Sequence, residues 1–291
     1  MRRTLGRVLT IAYGTCALAA FALLFVFATL LALVVPRLEW RRRLTHWLAG
    51  LALPLLGIRL AVDGLERLPE GSCVVVANHS SYLDGIVMKA ALPPRFSFVI
   101  KREAASMPVA GFLLKRIGSE FVDRHSEGGR RRDAMRVLRK AELGHALVFF
   151  PEGTFDEVPG LKRFHIGAFA AAVRGAMPVV PVVIHGARRA LPNRAIIVRP
   201  GRVRVEILEP IAAPGSSDAT DVLRSAARRA ILARLDEPDL VAARQLDDAS
   251  HPPDASDPCR HPGSDPLQRA EPNGDSARPA TTQTSPPNVT T

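Results

Sequence analysis

From Val8 to Val35 the chain carries no charged residue, a longer apolar run than the ~20 residues a helix needs to cross the hydrocarbon core of a bilayer. A membrane-embedded helix is expected there. It is also too long for the apolar region of a secretory signal, typically about 7–15 residues. A second apolar stretch, Leu44 to Leu60, is interrupted by Pro54 and carries His46 and Trp47 near its start. That pattern suits a helix lying at a membrane interface or one packing on a domain. Beyond it the pattern changes. Short continuous apolar runs at Cys73–Ala77, Phe96–Ile100, Ala146–Phe150 and Pro178–Ile184 read as strands buried on both faces. Pro181, inside the last of them, suits an edge or a kink. Helix-length segments lie between the runs, at Tyr82–Leu92, Pro108–Ile117, Arg130–Leu143 and Gly167–Arg174. Strands alternating with helices predict an α/β layered domain with a largely parallel mixed sheet flanked by helices. "AIIVR" (195–199) and "VRVEILE" (203–209), separated by Pro200-Gly201-Arg202, read as an added hairpin. Ala219–Leu235 reads as a helix with Asp221 near its start. Residues 236–291 are rich in Pro, Ser, Asp, Asn and Thr, too polar to bury an ordered core, and are expected to form a disordered tail. Three parts follow: an anchor over residues 1–60, a layered domain over 61–235, and the tail.

Composition sharpens this division. The formal net charge is +11, yet residues 236–291 hold ten acidic residues against four arginines, so the rest of the chain is more basic than the whole. A basic domain beside a membrane anchor points to acidic lipid head groups and phosphate-bearing substrates. No nucleic-acid motif accompanies the charge. Three cysteines, Cys16, Cys73 and Cys259, are too few and too scattered for a disulfide framework or a metal site. His145, His165 and His185 lack metal-ligand spacing, and no metal is expected. The basic segment Arg130–Lys140 is expected to present Arg131, Arg132, Arg136 and Arg139 to solvent, with Met135 and Leu138 inward. "PVAGFLL", 108–114, reads as core packing, with the wall of an acyl-chain groove as the alternative.

The chemistry concentrates where apolar runs end. After Ala77 comes "NHSSYLDG". His79 and Asp84 would sit about 140° apart on a regular helix, so a pairing requires His79 in the turn and Asp84 in the first helical turn. A carboxylate on one ring nitrogen fixes the tautomer and raises the basicity of the other. Loops after the carboxyl ends of parallel strands are where α/β proteins place their sites. "FFPEGTF", 149–155, runs from an apolar strand into Pro151, Glu152, Gly153 and Thr154. Glycine there permits close backbone approach to an anion. Between these clusters lies "GSEFVDR", 118–124, whose Arg124 can clamp an anionic group and whose Asp123 can equally neutralise it.

In this order the clusters resemble the motifs of the lysophosphatidic acid acyltransferase family, the glycerolipid acyltransferases that share an HxxxxD motif. "NHSSYLD" is similar to the first motif, "GSEFVDR" to the second, "FPEGT" to the third and "VVPVV" to the fourth. The resemblance covers about residues 70–210. It implies a membrane-bound enzyme that moves a fatty acyl group from acyl-CoA or acyl carrier protein to a lysolipid hydroxyl, without a cofactor. The favoured acceptor is 1-acyl-sn-glycerol-3-phosphate, and the implied location is a bacterial inner membrane with the catalytic domain on its cytoplasmic side. His79 is implied as general base and Asp84 as its orienting partner. Lys101, Arg124, Glu152, Gly153 and Thr154 fall at acceptor-binding positions, although a glutamate shapes a turn or accepts hydrogen bonds rather than binding phosphate by charge. One departure stands out: Phe155 occupies the place where phosphatidate-forming members usually carry an arginine that grips phosphate. Either Lys162 or Arg163 supplies the missing charge, or the acceptor is another lysophospholipid, a lyso-ornithine lipid or a further hydroxylated lipid. A lipid-binding protein without catalysis is the alternative.

Overall fold

A computed structural model describes residues 2–123 and 127–243. Two antiparallel helices come first, α1 (Arg2–Val34) and α2 (Leu38–Leu55), separated at Pro36, which cannot continue a helix without losing a hydrogen bond. Part of α1, Ala12–Val34, is long and apolar enough to cross a membrane by length and composition. Its inner side nonetheless rests on the layered domain at both ends. Gly14 lies against Ile197, and Arg116 Nε donates to the Ala32 carbonyl at 3.0 Å. At 1.5 Å per residue these contacts lie ~27 Å apart along the helix, so α1 runs along the domain rather than standing away from it. Its other side exposes Leu23, Val26, Phe27, Leu30 and Leu33.

The sheet has seven strands in the order β1-β7-β6-β2-β5-β3-β4. They are β1 (Ile58–Asp63), β2 (Val74–Ala77), β3 (Ser97–Lys101), β4 (Glu120–Val122), β5 (Leu147–Phe149), β6 (Val179–His185) and β7 (Gly201–Ile207). Every neighbouring pair is parallel except β6 with β7. Alternate residues of the central strands feed two cores, as the period of a strand requires. Val75, Ala77, Val148 and Val182 face α2 and the helix α3 (Leu83–Ala91). Val74, Val76, Leu147 and Val183 face α5 (Glu127–Glu142), α6 (Gly167–Arg174) and α8 (Ala219–Leu232). A third cluster joins Ala28 and Ala32 of α1 to Leu113 and Ile117, on or just after α4 (Pro108–Arg116). A short helix, α7 (Ala187–Ala190), follows β6.

Several expectations are corrected. The interfacial stretch 44–60 is helical only to Leu55, and β1 begins at Ile58. Residues 195–199 form no strand, so β7 is not half of a local hairpin; it pairs parallel with β1 and antiparallel with β6. Pro181 sits in a strand flanked on both sides, its carbonyl accepting from Leu208 N at 2.9 Å. Met135 points outward at 53% exposure, while Val137 and Ala141 turn inward. The start of the supposed tail is packed: Leu161 bridges Asp239, and Arg228 of α8 pairs with Asp239 at 2.6 Å. From 244 the expected tail lies outside the described residues.

Candidate active site

β2 ends at Ala77, in mid-sheet between β5 and β6. Asn78 fastens that end to the neighbouring strand: its Nδ2 donates to the Ile184 carbonyl at 3.1 Å and its Oδ1 accepts from Ile184 N at 2.7 Å. The next residue, His79, therefore leaves the sheet at a fixed point. Asp84, fully buried in the first turn of α3, accepts three hydrogen bonds on one oxygen. Oδ2 takes the Ser80 and Ser81 amides at 2.6 and 2.8 Å and the His79 ring nitrogen Nδ1 at 2.9 Å. With two amides already donating to Oδ2, the ring nitrogen Nδ1 is placed as its third donor and carries the ring proton. Nε2 is then left as the basic nitrogen. The second oxygen, Oδ1, is buried with no hydrogen-bond partner.

The loop after β5 packs on this pair. His79 lies between two aromatic rings, stacked on Phe150 with centroids 4.4 Å apart and met edge-on by Phe155 at 4.7 Å. Phe155 also meets Tyr82 edge-on at 4.8 Å. Glu152, buried beneath the turn, accepts from the His79 backbone amide at 2.7 Å and from the Lys162 amide at 2.8 Å. It ties the two loops together through their backbones. Burial pushes the Glu152 carboxyl above the usual range, opposed by those two amides. Gly153 has φ +83, a left-handed conformation costly for other residues. Lys162 Nζ donates to the Thr154 carbonyl at 3.1 Å and pairs with Asp156 at 2.5 Å, so this ammonium is already neutralised within the loop. Arg163 is exposed.

Lys101 ends β3, exposed at the same carboxyl edge of the sheet as His79. Arg124 lies outside the described residues. Just before it, the Asp123 amide donates to Asp133 at 2.9 Å. Asp133 also binds Arg102 and Arg136, the latter at 2.9 Å. This aspartate, almost fully buried in a basic helix, couples the ends of β3 and β4. Nothing in the spacing of 130–140 singled it out.

A cavity of about 460 Å³, lined by α1, α2, α3, α4 and β3, reaches Tyr82 and Gly85, which flank the Asp84 turn. Tyr82, Gly85, Ile86 and Lys89 of the α3 segment line one flank, the i, i+3, i+4, i+7 stripe of one helical face. Ala110, Leu113 and Leu114 of α4 line another. The 108–114 segment thus walls a cavity as well as packing.

Residues 59–185 match the family described as Acyltransferase. A lyso-ornithine lipid O-acyltransferase of Pseudomonas aeruginosa is 31% identical over 209 residues, 66% of this chain and 79% of that protein. A 1-acyl-sn-glycerol-3-phosphate acyltransferase of the same organism is 30% identical over 195 residues, 63% of this chain and 74% of that protein. Chloroplastic BAT2 of Brassica napus, a 1-acyl-sn-glycerol-3-phosphate acyltransferase, is 31% identical over 179 residues, and there the chain spans about half (52%) of the longer protein. Among solved structures the fold is similar to that of the 1-acyl-sn-glycerophosphate acyltransferase PlsC from Thermotoga maritima, with TM-score 0.63 and 22% identity over 79% of this chain and 96% of that one.

Proposed function

For a chain that belongs to the acyltransferase family, we propose the transfer of a fatty acyl group from acyl-CoA or acyl carrier protein to a hydroxyl of a lysolipid, with His79 as general base. The observation that carries this reading is the His79 Nδ1–Asp84 Oδ2 bond of 2.9 Å, which leaves Nε2 free to take a proton. Nε2 takes the acceptor's hydroxyl proton as the oxygen attacks the thioester carbonyl. The tetrahedral intermediate then collapses, the carbon–sulfur bond breaks, and the imidazolium returns the proton to the departing thiolate. No acyl-enzyme is needed. The acyl chain enters the cavity beside Tyr82, gaining roughly 0.8 kcal/mol for each buried CH₂.

The acceptor is 1-acyl-sn-glycerol-3-phosphate, with its phosphate held by Lys101, Arg124 and Arg163. A second reading, a lyso-ornithine lipid acceptor, is favoured by Phe155, which fills the usual arginine position with a ring against His79 and Tyr82, and by the pairing of Lys162 with Asp156. Loss of a bidentate phosphate contact selects against a phosphomonoester. We place the chain in one leaflet of a bacterial inner membrane, cytoplasmic side, for two reasons. α1 lies along the domain and exposes an apolar face, and α2 exposes Trp40 and Trp47, residues suited to the head-group level. The test is transfer by purified protein to a panel holding both lysolipids. Acylation of lysophosphatidate supports the first reading, acylation of lyso-ornithine lipid alone the second, and acylation of no lysolipid refutes both.

A further inference from the structure

The cavity that begins at Tyr82 is mostly apolar, with walls that include Phe21, Phe25, Leu48, Phe98 and Leu113, but Lys89, Ser119 and Thr45 line it as well. Tyr82 stands exposed at the mouth, and Lys89 lies seven residues further along the same stripe of α3, ~10 Å deeper by the helical rise. Ser119 and Thr45 line the cavity too. Ser119 is only 8% exposed, and its hydroxyl finds no hydrogen-bond partner. Thr45 Oγ1 already donates to the Arg41 carbonyl at 2.9 Å and keeps acceptor capacity. Arg42 binds the Ile117 carbonyl at 3.0 Å and the Gly118 carbonyl at 3.4 Å, immediately before Ser119, and one turn along α2 the His46 ring meets the Lys89 carbonyl at 3.0 Å. The same end of α2 thus meets both the Lys89 turn of α3 and the segment that carries Ser119. Burial and then Arg42 bring the Lys89 amine down to about 8, and no carboxylate among the described residues pairs with it.

A plain hydrocarbon chain reaching this end strips water from an ammonium, leaves the buried hydroxyl without a partner, and returns nothing. A chain bearing an oxygen there accepts from both. Resting on the acyl-transfer reading above, we infer that the inner end of the cavity is a recognition site for an oxygen function carried far along the acyl chain, so that hydroxylated acyl groups are preferred over plain ones of equal length. Sites built to hydrogen-bond a hydroxyl discriminate against the analogue lacking it, because their own polar groups are left unpaired.

The test supplies homologous series of acyl-CoA thioesters, plain and terminally hydroxylated, to the full chain and to its Ser119→Ala and Lys89→Met variants, with folding checked by thermal melting. The expected result is a preference of about tenfold in kcat/KM for the hydroxylated member, the worth of one good hydrogen bond, peaking at one chain length and falling toward unity in both variants. Equal use of plain and hydroxylated chains at every length overturns the inference while leaving acyl transfer intact, as does a preference that neither substitution moves. Should no thioester be used, acyl transfer itself fails. Calorimetric titration with plain and terminally hydroxylated fatty acids then decides the cavity's chemistry alone, equal affinities overturning it.

Discussion

The imidazole of His79 is held on every side but one: by Asp84 at Nδ1, by Phe150 and Phe155 at its ring, and through its own amide by Glu152. Two consequences follow at this scale. Asp84→Asn keeps the size but removes the charge that fixes the tautomer, and kcat is expected to fall about 10²–10⁴-fold; a loss under threefold would contradict the assigned role. Glu152 has its folded pKa raised, so between the ordinary glutamate range near ~4.3 and the higher folded value the native state binds more protons than the unfolded one. Stability therefore falls as pH rises through that window. Denaturant unfolding across a pH series is expected to show this slope in the wild type and not in Glu152→Gln. The pair itself was legible in the sequence, because an apolar strand followed by Asn-His, with Asp five residues after the His, leaves few geometries. That Glu152 shapes its turn rather than binding phosphate was legible too; that it joins two loops through the His79 and Lys162 amides was not, since a carboxylate serving amides of different loops has no local signature. Phe155 was legible as a departure from the family pattern, but not as a ring packed on His79.

Among the elements, the central strands β2, β5 and β6 were readable because burial on both faces makes them continuous apolar runs. β1 and β4 are edge strands with polar alternate positions. β1 was masked by the apolar helix before it, and β4 is three residues long. The false hairpin at 195–209 arose because local turn residues say nothing about β1, nearly 140 residues earlier, which is the partner that β7 takes. Pro181 is tolerated at the end of the β6–β7 ladder, where its carbonyl accepts from the Leu208 amide and only the reciprocal bond is lost. α3 carries the clearest element-scale prediction. A Cβ on Gly85 meets nothing within 4 Å, and the residue lines the cavity. Gly85→Leu should therefore fold while filling cavity space, moving the acyl-chain optimum to shorter thioesters; an unchanged chain-length profile would show that the acyl chain lies elsewhere.

For the whole molecule, α1 exposes an apolar face while resting on the layered domain. Apolar periodicity announced a membrane helix, but could not distinguish a helix that spans from one that lies along its own domain, because that depends on contacts such as Gly14 with Ile197. Replacing Leu23, Phe27 and Leu30 together with serine should lower partitioning onto anionic vesicles by at least about tenfold, given roughly 1.5–3 kcal/mol for full burial of each large apolar side chain. Sedimentation with vesicles measures this, and unchanged binding would locate the membrane contact elsewhere. The central claim is that this chain is a direct acyltransferase whose base is His79. The most direct measurement follows labelled acyl-CoA with lysolipid, using wild type and His79→Ala in parallel. The account predicts labelled diacyl lipid and stoichiometric free thiol from the wild type, no label retained on protein, and a loss of at least about 10²-fold in the variant; equal rates from the two proteins, or label fixed covalently to the chain, would contradict it.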